Sequence, residues 1–121
     1  MAETALEYEH ASDIELCRLV VRRDPQAVRL VTRRNNQRLY RAAWSILKNR
    51  AEAEEAVQDG YLKAFAAIGS FDGRSALSTW LTRIVVNEAL ARRRTAQRRV
   101  RLAGARRDRH RRLSGERHGR S

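Results

Sequence analysis

The sequence predicts an all-α protein, a compact bundle of about four helices with a disordered basic C-terminal tail. Three observations predict it. Pro25 is the only proline, and Ala, Leu, Arg and Glu, all good helix formers, dominate the chain. Apolar residues recur at three- and four-residue spacing in four successive segments. A capping residue precedes each segment: Ser12, Asp24, Asn49 and Ser75. Residues 1–11 are expected to be a flexible N-terminus, 12–95 the helical domain and 96–121 the arginine-rich tail.

The first helix is expected to start at Ser12. Glu15 stands three residues on and completes a capping box. Ile14, Leu16, Cys17, Val20 and Val21 supply its apolar side. Asp24 then caps a second helix whose first turn tolerates Pro25. That helix runs to about Lys48, with Val28, Val31, Leu39, Ala43, Ile46 and Leu47 on its apolar side. Asn49, followed by Glu52, opens the third helix over about residues 50–68. Its inward stripe is Ala53, Val57, Gly60, Tyr61, Ala64 and Ile68, and Gly69 is expected to stop it. Ser75 is the expected cap of the fourth helix, whose inward residues are Leu77, Leu81, Ile84 and Val85. Eight of the last twenty-one residues are arginine, and only Leu102 and Leu113 there are large and apolar. Such a segment buries too little surface to offset its ordering entropy.

Charge divides the chain. Residues 1–70 carry 11 basic and 10 acidic residues, and residues 71–121 carry 15 and 4. Such asymmetry predicts a polyanionic partner contacted by the C-terminal half. No apolar run approaches the ~20 residues of a membrane span. "MAETALEYEH" has no signal-peptide pattern, so a cytoplasmic protein is expected. Cys17 is alone and reads as a buried structural residue. His10, His110 and His118 lack metal-ligand spacing. No serine has a nearby base and no glycine-rich phosphate loop occurs, so no catalytic residue, metal or cofactor is expected.

Two surfaces remain that core packing does not require. On the third helix Glu55, Gln58, Asp59 and Leu62 recur at i, i+3, i+4 and i+7, an outward acidic strip with a leucine in it. A solvated face or a docking site for a basic partner helix both fit it. On the fourth helix Trp80, Arg83, Asn87 and Arg94 share one side, with Arg92 and Arg93 extending the charge. Trp80 is either a half-buried core residue or a stacking platform. The connection before it, Ser70, Phe71, Asp72, Gly73, Arg74, Ser75, Ala76, Leu77, Ser78 and Thr79, offers a ring, hydroxyls and a guanidinium. Single-stranded nucleic acid is held by that combination of rings, cations and polar groups.

The ordered set "RLYRAAWSIL", "AEAEEAVQDGYLKAF" and "FDGRSALSTWLTRIVVNEALARRR" resembles region 2 of bacterial sigma factors of the extracytoplasmic-function group, over roughly residues 12–95. The resemblance implies that Glu55, Gln58, Asp59 and Leu62 dock on the clamp coiled coil of core RNA polymerase. It implies that Ser70 to Thr79, with Trp80, Arg83, Asn87 and Arg92 to Arg94, bind the −10 promoter element and capture an unstacked base of the non-template strand. An anti-sigma factor is a further partner that the resemblance admits; a membrane is not. Leu77 and Thr82 stand where many relatives carry aromatics. The helix-turn-helix domain that normally follows has no counterpart here, so a truncated relative or one acting through region 2 alone is expected. Two other readings stay open: a decoy or anti-sigma-binding module, and a generic arginine-rich nucleic-acid binder.

Overall fold

A computed structural model describes residues 8–119. Most of the expected N-terminal segment 1–11 lies outside the described residues, as do residues 120 and 121. Among the described residues the regular elements are helices: α1 (Asp13–Val21), α2 (Pro25–Leu47), α3 (Arg50–Ala67), a short 3-10 turn (Ile68–Ser70) and α4 (Leu77–Gly119). Residues 8–10 add a helical turn ahead of α1.

Three of the four expected caps are in place. Ser12 Oγ accepts from the Glu15 N–H and the Glu15 carboxylate accepts from the Ser12 N–H, both at 3.2 Å. Asp24 Oδ1 accepts from the N–H groups of Gln26 and Ala27 at 2.9 and 3.3 Å. Its other oxygen accepts from the Tyr8 hydroxyl. That bond is the main reason its carboxyl titrates below the usual value. Asn49 Oδ1 accepts from the Glu52 N–H at 2.9 Å. Each cap satisfies one or two of the donors that a helix start leaves without intrahelical partners.

The fourth cap is a correction. Ser75 does not cap α4, because its hydroxyl donates to the Ala76 carbonyl at 3.3 Å. The Leu77 N–H instead donates to Asp13 Oδ2 of α1 at 2.9 Å. Gly69 also differs from expectation. α3 ends by tightening into the 3-10 turn, within which Gly69 lies, and Gly73 is the glycine that takes a positive φ, +79°.

All four helices contribute to one core. Leu16, Val31, Leu39, Leu81 and Val85 are its largest fully buried side chains. On α4 the buried positions Leu77, Leu81, Val85 and Ala89 repeat every four residues, a ridge that winds slowly round the helix. α3 buries mainly small residues, Ala53, Ala56, Gly60 and Ala64, so α4 lies close against it. A Cβ on Gly60 would sit 2.5 Å from Val85 Cγ2. Ile14 and Val21, expected on the apolar side of α1, are exposed, and Ile84 is half-buried. Cys17 is buried, and burial, followed by the nearby Asp13 charge, pushes its thiol up to about 11.

α4 is continuous as helix through Gly119, and its C-terminal part carries the arginine-rich stretch. Arg, Ala, Leu and Gln have high intrinsic helix propensity, and no proline interrupts them. From Arg93 to Leu113 no side chain is buried, so this extension projects beyond the bundle without tertiary packing. Among the described residues no helix is long and apolar enough to cross a membrane, and no group of three or more His, Cys, Asp or Glu could hold a metal ion.

Candidate nucleic-acid and protein interface

The outer side of α3 and the far side of α4 flank the core in opposite roles. On α3, Glu55, Gln58 and Leu62 are exposed and Asp59 is half-buried, so the four residues form an accessible strip as their spacing predicts. Leu62 is 69% exposed, more than any other described leucine among the exposed large hydrophobics. A leucine this open adds nothing to the core.

The acidic strip is already partly engaged. Arg92 of α4 reaches across to α3 and donates to Glu55 at 3.0 Å, to Glu52 at 3.4 Å and, most closely, to Asp59. It also pairs with Glu88 one turn back at 3.3 Å, and Glu88 in turn takes Lys63 of α3. Partial burial disfavours the guanidinium charge, but its hydrogen bonds to Glu55, Asp59 and Glu88 outweigh it and hold Arg92 more firmly protonated than a free arginine. Arg92 therefore belongs to the α3–α4 contact. It departs from the arginine run in which the sequence places it, because a helix turns 100° per residue and position 92 faces α3 while 93 and 94 face solvent.

The connection between α3 and α4 is ordered by local hydrogen bonds. Ser70 Oγ donates to the Ala67 carbonyl at 2.6 Å, and Asp72 Oδ1 accepts from the Arg74 N–H at 3.0 Å, an Asx turn. Asp72 and Arg74 also form an exposed ion pair at 3.2 Å. Gly73 follows Asp72 with its positive φ, and a Cβ there would come within 2.9 Å of Ile14 Cδ1. Phe71 and Trp80 meet edge to face, ring centroids 5.7 Å apart at 66°, so a ring from the connection is braced on the first turns of α4. Both rings are half-buried and pack against the core. Asp72, Gly73, Arg74, Ala76 and Thr79 are exposed, and Ser75 and Ser78 are half-buried. Leu77 is 3% exposed. Its side chain is a core residue and offers a ligand no surface, a second departure from the expected set.

Along α4 the outward residues Arg83, Asn87, Arg93 and Arg94 are exposed. Arg83 and Asn87, with Thr79, Thr82 and Val86, line a groove of about 460 Å³ whose opposite wall is Arg38 of α2. Sequence reasoning missed Arg38. It lies about forty residues before the others, and no local pattern marks it as their neighbour. The groove lining holds two guanidiniums and no carboxylate, which suits an anion.

The family model described as Sigma-70 region 2 matches residues 31–99. The ECF RNA polymerase sigma factor SigM of Mycobacterium tuberculosis (strain H37Rv) is 40% identical over 86 residues, which is 71% of this chain and 44% of that protein. The RNA polymerase sigma-H factor of Pseudomonas aeruginosa is 32% identical over 77 residues, 64% of this chain and 40% of that protein. The ECF RNA polymerase sigma factor SigW of Bacillus subtilis is 38% identical over 50 residues, 41% of this chain and 27% of that protein. These matches span less than half the length of each relative. No solved structure matches the chain significantly.

Proposed function

Because the chain belongs to the Sigma-70 region 2 family, we propose that it serves transcription initiation, docking on core RNA polymerase and opening the −10 element of a promoter. Docking falls to the α3 strip, Glu55, Gln58, Asp59 and Leu62. Its carboxylates meet a basic helix pair of the polymerase clamp, and Leu62 supplies the apolar anchor. Strand capture falls to the connection Ser70 to Ser78 and to Thr79, Trp80, Arg83, Asn87, Arg93 and Arg94. Leu77, within that connection, supports it only from the core, and Arg92 serves only through its ion pairs with α3 and Glu88.

The observation that carries this reading is the Phe71–Trp80 pair. It braces aromatic surface beside exposed hydroxyls and at the head of a helix whose outward arginines follow within one to four turns. An unstacked base gains ~1–3 kcal/mol from an aromatic platform. That gain offsets part of the stacking and pairing lost when a duplex opens. The arginines hold the displaced strand through its phosphates, which makes the interaction salt-dependent.

Pull-down with core RNA polymerase tests docking. Asp59→Arg with Leu62→Ala should abolish retention, and undiminished retention refutes the strip. Run-off transcription from a duplex promoter and from a pre-melted one tests opening. Trp80→Ala with Arg83→Ala should lose the duplex template more severely than the pre-melted one. Retention on polymerase without transcription from either template would make the chain a decoy instead.

A further inference from the structure

The geometry points to Arg38 and Arg83 as a two-sided clamp on one phosphodiester of single-stranded DNA, seated in the groove between α2 and α4. This deepens the strand-binding reading and rests on it for the choice of ligand. Arg38 is exposed on α2, Arg83 is exposed on α4, and both line the same groove. Among the described residues neither has an ion-pair partner. The contrast with Arg92 is direct: on the α3 side of α4, one guanidinium meets four carboxylates. On the α2 side, two guanidiniums meet none. Two like charges facing one groove repel each other, and an anion between them turns that repulsion into two charge-assisted hydrogen-bonding contacts.

The rest of the lining suits a nucleotide. Val86 and the methyl groups of Thr79 and Thr82 give the groove an apolar side against which a sugar or base edge can lie. Thr82 Oγ1 donates to the Ser78 carbonyl at 2.7 Å, so its methyl is held in place. Asn87 adds an amide that both donates and accepts, at the far end of the groove. The volume of about 460 Å³ falls in the range of sites that enclose small ligands. The groove opens beside Thr79, one residue before Trp80. A strand with one base on the Phe71–Trp80 platform can thus place a neighbouring phosphate between the two arginines.

The test is fluorescence anisotropy of the full chain with a fluorescein-labelled oligo(dT) 12-mer over a range of salt concentrations. Arg38→Ala and Arg83→Ala are each expected to weaken binding about fivefold or more. The double variant should lower the salt slope by about 0.7 in total, the release belonging to one phosphate. Because both hold one phosphate, the double variant should lose less than the product of the single losses. Arg29→Ala is the control: it removes the same charge from α2, nine residues earlier and so half a turn round the helix, and should bind like the wild type. Full loss from Arg83→Ala with none from Arg38→Ala would overturn the clamp and leave the strand-binding reading standing. No loss from either variant would likewise overturn the clamp alone, whereas no binding by the wild type at low salt would overturn both. Equal loss from Arg29→Ala would show diffuse charge only, and multiplicative losses would show two separate phosphates; each outcome refutes the clamp.

Discussion

Asp13 and Leu77, 64 residues apart, are joined by a 2.9 Å hydrogen bond from the Leu77 N–H to the Asp13 carboxylate. The first turn of α1 thereby caps the start of α4, directly after the connection that carries the candidate strand-binding residues. Asp13→Ala should destabilise the fold by about 1 kcal/mol, the usual cost of losing a side-chain cap. Asp13→Asn keeps an acceptor and should recover most of it. Urea unfolding of the two variants checks this. Equal losses would mean that charge, and not the acceptor, holds the end of α4.

What was legible in the sequence follows the same line. Ser12, Asp24 and Asn49 act on N–H groups two or three residues away, so residue type and local spacing reveal them. The helix stripes are equally local, and Leu16, Val31, Leu39, Leu81 and Val85 all fall on the sides their periodicity predicts. Asp13, Arg92 and Arg38 act across helices, and their partners depend on how the bundle closes. Ser75 illustrates the cost: it has the right type and position for a cap, yet a distant aspartate takes the role. The exposed residues of the connection were also legible, whereas the inward turn of Leu77 was legible only as core and not as a reason to remove it from the site.

Gly60 is held to a hydrogen by Val85. Gly60→Ala places a methyl carbon 2.5 Å from Val85 Cγ2 and must push α3 and α4 apart or force a rotamer change. Overpacking of this kind costs about 1–3 kcal/mol, against which alanine recovers up to about 1 kcal/mol of helix propensity. A net fall in melting temperature is expected, and Val85→Ala in the same chain should restore part of it. If the double variant is less stable than the sum of its parts, the close approach is not the cause.

Arg92 binds α4 to α3 through three carboxylates, Glu52, Glu55 and Asp59, and also pairs with Glu88 on its own helix; removing it leaves these charges facing one another. Arg92→Ala should cost about 1–2 kcal/mol at low ionic strength, because the pairs are partly exposed and each is weak alone. The loss should shrink in ~1 M salt, where the Debye length falls to about 3 Å. Denaturation at both ionic strengths reads this out. The same substitution frees Glu55 and Asp59, so retention on core RNA polymerase should hold or rise. Loss of retention in a folded Arg92→Ala chain would place Arg92 in the docking surface itself.

Cys17 should resist alkylation in the native protein. Its thiol ionises near 11, against 9.0 for an ordinary cysteine, because it is buried and lies near Asp13. Thiolate is the reactive form, so iodoacetamide at pH 8 should label the chain only through unfolding. The sign for stability is set by the same shift. The unfolded thiol ionises above pH 9 while the folded thiol stays neutral, so this group favours unfolding increasingly between about pH 9 and 11. Cys17→Ala should flatten that part of the stability profile. Rapid native-state labelling at pH 8 would contradict the burial.

Gly73 meets two demands at once, and they can be separated. Its φ of +79° disfavours any side chain, and a Cβ would meet Ile14 Cδ1 at 2.9 Å. Gly73→Ala should therefore cost about 1–2 kcal/mol from backbone strain alone, with a further loss from the contact. Ile14→Ala removes the contact but leaves the strain, so the double variant should recover only part of the stability. Gly73→Asn should be milder than Gly73→Ala, since asparagine tolerates a positive φ. If the connection presents the strand-binding surface, these variants should rank identically in stability and in affinity for single-stranded DNA. Affinity that stays constant while stability falls would show that the Asx turn at Asp72 does not position that surface.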